Sequence, residues 1–364
     1  MDKHEIVQLF ALEGTIAGVQ EYGSGHINRT ELVEMEKDGQ REKYILQRIN
    51  TEIFHDVDGL MENIVGVTDY LRKKIKAAGG DFEREALQVI PTKDGASYCR
   101  AEGDCYRMYR FISNAVSYDA VRSPGDFYES ALAFGTFQSL LSDYPAETLH
   151  ETIPDFHNTP KRFADFCEAV NKDVMGRVAL ARKEIDFLME REQELSVLTD
   201  LQKAGELPLR VTHNDTKLNN VMLDAKTGKG VCVIDLDTVM PSYIFSDVGD
   251  FLRTAANTVA EDDPALEKVE FRMDIFKAFM AGYLDSAGVF LTSKELELLP
   301  EGAAMFPYMQ AVRFLADYIN GDTYYKTSYP EHNLVRTRNQ MRLLECIEAV
   351  IPQMREYIKG IIPS

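Results

Sequence analysis

The sequence lacks the paired cysteines on which zinc sites and disulfide frameworks depend. Its five cysteines are scattered, and none is followed by a second cysteine three residues later. An odd and unpaired set argues against a structural zinc site and against a disulfide-stabilised secreted domain. We therefore expect reduced thiols and a cytoplasmic protein.

Long apolar runs and a basic amino terminus are also missing. No run approaches the ~20 apolar residues that span a bilayer. Asp2 and Glu5 stand where a secretory signal would carry positive charge. We expect neither a membrane segment nor a membrane partner.

Positive charge is scarce, with 40 Lys and Arg against 59 Asp and Glu and a formal net charge of −19. Because nucleic-acid binders hold phosphates with clustered Lys and Arg, this balance argues against a nucleic-acid partner. It is compatible with a neutral or cationic small substrate, although solubility explains an acidic surface equally well. At 364 residues the chain is too long for one compact core and too short for more than about three.

The hydrophobic pattern changes near residue 112. Before it, short β-rich runs alternate with turns, and after it helical periodicity prevails. Strands are predicted at 16–22, 27–35, 43–49, 86–90 and 105–112, and helices at 57–78, 127–141, 162–170, 177–197, 274–285 and 339–358. A β-rich island covers 207–238. We therefore predict an α+β chain with a small antiparallel-sheet N-lobe, residues 1–112, and a larger, mainly helical C-lobe, residues 113–364.

The most informative stretch lies in that β-rich island. A β run ends in His213-Asn214-Asp215, Asn220 follows five residues after Asp215, and a later run from Val231 ends in Asp235. Two short strands joined by a turn would bring Asn220 and Asp235 to the same end of a hairpin. Asp215 would then lie on the loop that leads into it.

These residue types suit phosphoryl transfer, which needs a positioned hydroxyl and stabilisation of the negative charge that develops on the phosphate. Asp215 can accept the hydroxyl proton, and Lys217 can place an ammonium near the transferred group. The oxygens of Asn220 and Asp235 are ligands suited to Mg²⁺. This order of residues matches the catalytic loop and metal site of kinases.

Each of these residues alone is typical of a turn former or a cap. Their joint occurrence between apolar β runs favours the kinase interpretation. Asp237 and Asp247 are expected to be structural, with hydrogen bonds that hold the metal loop and the catalytic loop.

With these residues the chain resembles the aminoglycoside phosphotransferase-like kinase superfamily and, within it, the bacterial N-acetylhexosamine 1-kinases. The similarity extends over nearly the whole chain and includes the stretches Tyr22–Asn28, Tyr44–Asn50, Arg107–Ile112, Phe156–Pro160, Leu209–Asn220, Arg313–Tyr318 and Tyr329–Arg338. It implies a two-lobed protein-kinase-like fold with a nucleotide-binding N-lobe. It also implies ATP-dependent phosphorylation of the anomeric hydroxyl of N-acetylglucosamine or N-acetylgalactosamine.

The resemblance assigns roles to individual residues. Asp215 is the general base, accompanied by Lys217, and Mg²⁺ is held by Asn220 and Asp235. The residues implied for ATP are Gly23, Ser24 and Gly25 over the phosphates and Tyr109, Phe111 and Ile112 at the adenine hinge. The residues implied for the sugar are His26, Arg313 and Asp317, with His157 ranked lower.

Two of the sugar residues also have an interpretation from spacing alone. Arg313 and Asp317 are four residues apart, so on a helix they would share a face. An intrahelical salt bridge on a solvated surface would explain that spacing equally well.

One departure from the kinase pattern concerns the phosphate-gripping lysine of the third strand. The corresponding position reads Leu46-Gln47-Arg48 and has no lysine. Because side chains alternate along a strand, Gln47 and Arg48 point to opposite faces. Gln47 occupies the lysine position, and Glu62 on the next helix is the partner of Arg48 if that side chain turns inward.

Two alternatives remain at this point. The first is a kinase of the same superfamily that acts on an aminoglycoside, choline or homoserine. The second is a catalytically silent, nucleotide-binding regulator, suggested by the missing lysine. The tail from Arg355 to Ser364 is not acidic, and Arg313 in the pocket would repel a polycation, which favours an uncharged sugar. The preferred hexosamine and the oligomeric state are left open.

Overall fold

A computed structural model describes residues 1–23, 27–118 and 123–362. The backbone groups into two compact units. The sheet unit comprises Met1–Ser117, Leu140–Pro154 and Asn220–Pro241, and the helical unit comprises Tyr118–Ser139, Asp155–Asn219 and the chain from Ser242 onward. Three predicted site residues, Ser24, Gly25 and His26, lie outside the described residues.

The elements have the following bounds in the described part of the chain. The strands are β1 (Thr15–Glu21), β2 (Arg29–Lys37), β3 (Gln40–Ile49), β4 (Cys99–Ala101), β5 (Asp104–Arg110), β6 (Ala115–Val116), β7 (Arg210–Thr212), β8 (Val221–Asp224), β9 (Gly230–Val233) and β10 (Met240–Ser242). The helices are α1 (Lys3–Val7), α2 (Val57–Ala77), α3 (Pro124–Leu140), α4 (Thr159–Lys172), α5 (Arg182–Leu195), α6 (Val197–Lys203), α7 (Ile244–Ala255), α8 (Met273–Ala287), α9 (Ser293–Glu297), α10 (Leu299–Asn320) and α11 (His332–Ile361).

A five-stranded antiparallel sheet in the order β1-β2-β3-β5-β4 forms most of the sheet unit. Its β2–β3 hairpin closes through Asp38 and Gly39, whose φ angles are 52° and 78°. Positive φ at both central residues defines a type I′ turn, whose twist matches that of the flanking strands. The Asp-Gly dipeptide therefore fixes the register in which Lys37 faces Gln40.

Helix α2 buries one face, and that face is the one predicted from the sequence. Leu60, Ile64, Val67, Leu71 and Ile75 are all buried. They recur at intervals of three and four residues, as expected for an amphipathic helix with one face against a core. The helix begins at the Asp56 cap, whose Oδ1 accepts a hydrogen bond of 2.9 Å from Gly59 N.

A second, three-stranded antiparallel sheet, β6-β8-β9, belongs to the same unit. The turn between β8 and β9 is closed by Asp224, whose Oδ1 accepts hydrogen bonds from the N–H groups of Lys226 and Thr227 at 3.0 and 2.9 Å. Gly228 in this turn has a φ of 72°. The predicted hairpin in the β-rich island is thus present.

Helix α10 is the centre of the helical unit, where it packs against α4, α5, α7 and α11. It is buried on nearly all sides, and Pro307 lies inside it. It ends where Gly321 adopts a φ of 99°, a left-handed conformation that glycine takes without steric cost. No helix among residues 1–23, 27–118 and 123–362 is both long and apolar enough to cross a membrane.

The predicted fold class is confirmed: an antiparallel sheet in the amino-terminal part and helices in the carboxy-terminal part. The predicted strand at 86–90 is wrong. Only an isolated bridge between Val89 and Tyr109 forms there, because Pro91 follows at once and cannot donate to a ladder. The short strand β4 pairs with the beginning of β5, and the Val89 bridge lies near the end of β5. Strand β4 was not predicted.

Candidate active site

The predicted catalytic loop begins where strand β7 ends in the helical unit. His213 is fully buried, with the rings of Phe134 and Phe137 edge-on at centroid distances of 5.5 and 6.2 Å. Asn214 has a φ of 62°, an uncommon left-handed conformation that turns the chain sharply before Asp215. Such a turn persists only where the surroundings hold it.

Asp247 on α7 holds this turn. Its two carboxylate oxygens accept hydrogen bonds from the backbone N–H groups of His213 and Asn214 at 2.9 and 2.7 Å. Gln138 donates to the same carboxylate at 2.6 Å, and the Thr216 hydroxyl donates to the Asp247 carbonyl at 2.6 Å. Burial raises the pKa of Asp247, while these N–H donors oppose the rise. The predicted structural role of Asp247 is confirmed.

Asp215 and Lys217, the two predicted catalytic residues, are in direct contact. The Lys217 Nζ lies 2.7 Å from Asp215 Oδ1 and 2.9 Å from Oδ2. The Asp215 side chain is 18% exposed and that of Lys217 is 51% exposed, so the carboxylate is accessible but shielded. Asp250 on α7 is a third charged group here. Burial raises its pKa to about 6, and the charge of Asp215 adds to the rise.

The two predicted metal ligands lie at one end of the β8–β9 hairpin in the sheet unit. Val221 faces Val233 in the register, and Ile234 N donates a hydrogen bond of 2.9 Å to the Asn220 carbonyl. Asn220 is buried and Asp235 is exposed. Asp235 has φ 60° and ψ 59°, so it too adopts the left-handed conformation.

This donor set fits Mg²⁺. An amide oxygen and a carboxylate are hard oxygen ligands, and Mg²⁺ keeps several positions for water and phosphate. Among the residues that the structure describes, no group of three or more His, Cys, Asp or Glu side chains could form an all-protein metal cage. A two-ligand site completed by nucleotide phosphates is consistent with that finding.

Gln47 and Arg48, predicted to contact ATP, point to different neighbours in the sheet unit. The Gln47 Oε1 accepts two hydrogen bonds from Arg107, from Nε at 3.0 Å and from Nη2 at 2.9 Å. Arg48 instead forms a 2.8 Å ion pair with Asp104. Glu62, its suggested partner, pairs with His150 at 2.7 Å.

The predicted hinge residues lie at the end of strand β5: Tyr109 is within the strand, and Phe111 and Ile112 come directly after it. Tyr109 and Ile112 are buried, and Phe111 is half-buried. The Phe111 ring lies edge-on to Tyr22 at 5.9 Å, next to Gly23 with its φ of 80°. The structure thus brings the predicted hinge close to the flank of the predicted phosphate loop.

Arg313, predicted to bind the substrate, lies on α10 beside two tyrosines in the helical unit. Its guanidinium carbon is 5.8 Å from the ring centroid of Tyr324 and 5.6 Å from that of Tyr325. Its Nη1 donates to Gln310 at 2.8 Å. The Tyr324 side chain is 69% exposed, so one ring of this arrangement faces solvent.

Asp317, the other predicted substrate residue on α10, holds the turn that carries these tyrosines. Its Oδ1 accepts from the N–H groups of Thr323 and Tyr324, each at 2.8 Å, and its Oδ2 accepts from Tyr325 N at 3.0 Å. Asn333 adds a fourth hydrogen bond at 2.9 Å. In this structure Asp317 therefore contacts backbone rather than Arg313.

Three residues that interact with Arg313 each carry a buried polar atom without a hydrogen-bond partner. In the described part of the helical unit, His157 Nδ1, Arg162 Nε and the Tyr325 hydroxyl are such atoms. Burial lowers the pKa of His157 to about 3, and the positive charge of Arg313 contributes. Burial and then Arg313 also lower the pKa of Arg162. Buried polar groups are normally satisfied, so a cluster of exceptions is typical of a ligand site.

Sequence reasoning did not assign a role to Arg162 or to Arg107. Arg162 lies on the amphipathic helix α4, where a surface arginine is the usual interpretation. Arg107 lies in the middle of a strand between buried residues, and only its mid-strand charge signals an internal role.

Asn214, the residue before Asp215, acts on the pKa of His157 in the opposite direction to burial and raises it. The Arg313 cluster, defined as His157, Arg162, Arg313, Tyr324 and Tyr325, is thereby connected to the catalytic loop within one unit.

Comparison with known proteins identifies structures of the same fold. The chain has the fold of an aminoglycoside phosphotransferase from Alicyclobacillus acidocaldarius, with 13% identity, a TM-score of 0.65 and coverage of 99% of this chain and 97% of that one. A choline kinase from Cryptosporidium parvum is similar at 15% identity and a TM-score of 0.55, over 95% of this chain and 91% of that one. A spectinomycin phosphotransferase in complex with ADP and spectinomycin matches at 13% identity and a TM-score of 0.55, over 96% and 98% of the two chains.

At these identities the structural matches establish the fold alone. The sequence profile of the phosphotransferase enzyme family matches residues 18–283. This range includes the predicted catalytic loop and the β8–β9 hairpin with the predicted metal ligands, which we call the metal hairpin. The chain therefore belongs to the phosphotransferase enzyme family, as a kinase of small molecules.

Proposed function

We propose that the protein transfers the γ-phosphoryl group of ATP to the anomeric hydroxyl of an N-acetylhexosamine, giving the sugar 1-phosphate. The Arg313 cluster carries the proposal. It offers three unsatisfied buried polar atoms, on His157, Arg162 and Tyr325, beside the loop that bears Asp215. A sugar ring carries enough hydroxyls to satisfy such atoms at once.

The chemistry of the cluster matches an uncharged, oxygen-rich ligand. The Arg313 and Arg162 guanidinium groups donate hydrogen bonds and cannot accept them, so they suit the acetamido carbonyl and hydroxyl oxygens. The neutral His157 can accept or donate. The exposed ring of Tyr324 presents an apolar face on which the C–H face of a sugar can stack.

Asp215 acts as the general base of the proposed reaction. As the anomeric oxygen bonds to the γ-phosphorus, its proton moves to the Asp215 carboxylate, and the bond from that phosphorus to the β–γ bridging oxygen breaks to release ADP. Asp247 keeps the loop in position through its bonds to His213 and Asn214. Lys217 holds the carboxylate in place before the acceptor binds.

Mg²⁺ would be held by Asn220 and Asp235 and, when bound, would offset charge on the ATP phosphates. The nucleotide would lie against Gly23 and the hinge residues Tyr109, Phe111 and Ile112, where Phe111 and Tyr22 form an aromatic edge. A spectinomycin phosphotransferase of the same fold binds ADP. That likeness supports a nucleotide site in this chain.

A cationic acceptor is the main alternative, because similar folds include a choline kinase and aminoglycoside phosphotransferases. A cation would need acidic groups around it. In the described residues neither Arg162 nor Arg313 forms a salt bridge, and each lowers the pKa of a neighbour through like charge. This positive environment favours an uncharged sugar over choline or an aminoglycoside.

An ADP-release assay with a panel of acceptors tests the proposal. We expect turnover with N-acetylglucosamine or N-acetylgalactosamine and little with choline, homoserine or kanamycin, and we expect phosphorus NMR to place the phosphate on the anomeric carbon. Preference for a cationic acceptor would overturn the sugar assignment. No turnover with any acceptor, in a protein that binds ADP, would instead favour a silent regulator.

A further inference from the structure

A buried polar network connects strand β5 to the turn that follows the metal hairpin, within the sheet unit. Arg107 is 1% exposed and faces Gln47 on β3 in the register of the sheet. Its Nε and Nη2 donate to Gln47, and its Nη1 forms an ion pair with Asp237. Asn28 donates a further hydrogen bond of 2.6 Å to Asp237 Oδ2.

The backbone of Asp237, the ion-pair partner of Arg107, is held in place as well. The Asp237 carbonyl accepts a hydrogen bond of 3.0 Å from the Thr152 hydroxyl. Two residues further on, the Val239 carbonyl accepts one of 3.0 Å from Asn63 on α2. The 3₁₀ turn Leu236–Thr238 is thus anchored by a strand, a loop and a helix of the same unit.

This anchored turn begins immediately after Asp235, whose backbone is left-handed at φ 60°. For a residue with a Cβ that conformation is uncommon and is retained only where neighbouring structure imposes it. The fixed turn supplies that constraint. Loss of the anchor at Asp237 would let the backbone at Asp235 relax and move its carboxylate.

Arg107 itself is placed too deeply to contact a nucleotide. Its Nε and Nη2 donate to one amide oxygen, its Nη1 pairs with one carboxylate, and its side chain is sealed from solvent. A cation neutralised in this way does not offer its charge to phosphates. Arg107 can therefore act on the position of Asp235 only through its ion pair with Asp237.

We propose that Arg107 is a positioning residue, which fixes the metal ligand Asp235 through its ion pair with Asp237. The inference rests on the proposed function, in which Asp235 binds Mg²⁺. The chain lacks a strand lysine at Gln47, and Gln47 instead orients the arginine of the neighbouring strand. Partners that orient a metal ligand typically contribute about 10–100-fold in metal affinity.

The test measures binding of Mn²⁺ in the presence of ADP, from the electron paramagnetic resonance signal of free Mn²⁺. Arg107→Met and Asp237→Asn should each weaken Mn²⁺ binding at least about tenfold. Arg100→Met, which removes an exposed arginine of the adjacent strand β4, should stay within about twofold of the wild type, because Arg100 contacts only Tyr98, Asp58 and Cys105 among the described residues.

Arg107→Met leaves a buried carboxylate without its cation and can fail to fold. The double variant Arg107→Met/Asp237→Asn removes both charges and avoids that penalty. We expect it to fold, to bind Mn²⁺ about as weakly as the single variants, and to exchange the amide hydrogens of residues 234–240 faster. Wild-type Mn²⁺ affinity and wild-type amide exchange in the folded double variant would overturn the positioning role.

The outcomes separate this inference from the proposed function. Wild-type protein that binds Mn²⁺ with ADP but phosphorylates no sugar would overturn the substrate assignment alone. Unchanged Mn²⁺ binding in Asp235→Ala would overturn the metal assignment and the role of Arg107 with it.

Discussion

The ammonium of Lys217 lies against both carboxylate oxygens of Asp215, at 2.7 and 2.9 Å. The two residues are separated by one position, and the bend that brings them together is held by Asp247. A carboxylate fixed in this way cannot rotate freely. Its orientation is therefore defined, which suits the general-base role proposed for Asp215.

The first prediction concerns Asp215. Asp215→Asn keeps the shape of the side chain but cannot accept the proton, so we expect turnover to fall by about 10²–10⁴ with ADP affinity nearly unchanged. Stopped-time ADP release and nucleotide titration measure the two quantities. Asp200→Asn, an exposed position on α6, is the matched control. Wild-type turnover in Asp215→Asn would refute the base assignment.

The second prediction concerns Arg313. Hydrogen bonds to a charged group are worth about 1.5–3 kcal/mol, so Arg313→Ala should raise the KM for the sugar roughly tenfold or more. The KM for ATP should not change. Arg182→Ala, at an exposed arginine of α5, should leave both constants unaltered. An effect confined to ATP would remove Arg313 from the sugar site.

The third prediction concerns Asp235. Because it is one of two protein ligands proposed for Mg²⁺, Asp235→Ala should abolish the Mg²⁺-dependent part of ATP binding. A Mg²⁺ titration of ATP affinity measures the loss. Asp143→Ala, which removes an exposed acid paired with Lys74, serves as the control. An unchanged titration would count against the metal assignment.

The fourth prediction concerns acid stability. Burial lowers the pKa of His157 to about 3, whereas the unfolded chain binds this proton near 6.5. Between these values the unfolded state holds more protons, so the free energy of unfolding falls as the pH drops below 6.5, by up to about 1.4 kcal/mol per pH unit. His157→Phe should remove roughly 2 kcal/mol of the loss between pH 7 and pH 5.

Urea unfolding at the two pH values measures that difference. Equal acid sensitivity in wild type and His157→Phe would show that other groups account for it.

The metal hairpin was predictable because its determinants are local. Asn220, the turn at Thr227–Gly230 and Asp235 lie within 16 residues of sequence, and strand pairing fixes their placement. The type I′ turn at Asp38-Gly39 is likewise set by adjacent residues. In both cases short-range geometry decides which residues meet.

Helices α7 and α10 were not predicted, and for α10 the reason is physical. Of its residues, those from Ala303 to Met309 are all buried, so no polar face produces a helical period. Pro307 within it also resembles a helix breaker. The arrangement of Arg107 with Asp237 was equally hidden, because 130 positions separate two residues that only the folded sheet unit brings together.

Asp317 gathers three successive backbone N–H groups, those of Thr323, Tyr324 and Tyr325, onto one carboxylate. The loop is therefore held through its main chain, and the ring of Tyr325 also packs against Phe314 at a centroid distance of 4.7 Å. A different side chain at position 324 would leave these hydrogen bonds in place, because they are donated by backbone N–H groups. Under the proposed function, a substitution at position 324 would alter the contact with the acceptor while the backbone of the loop stays in place.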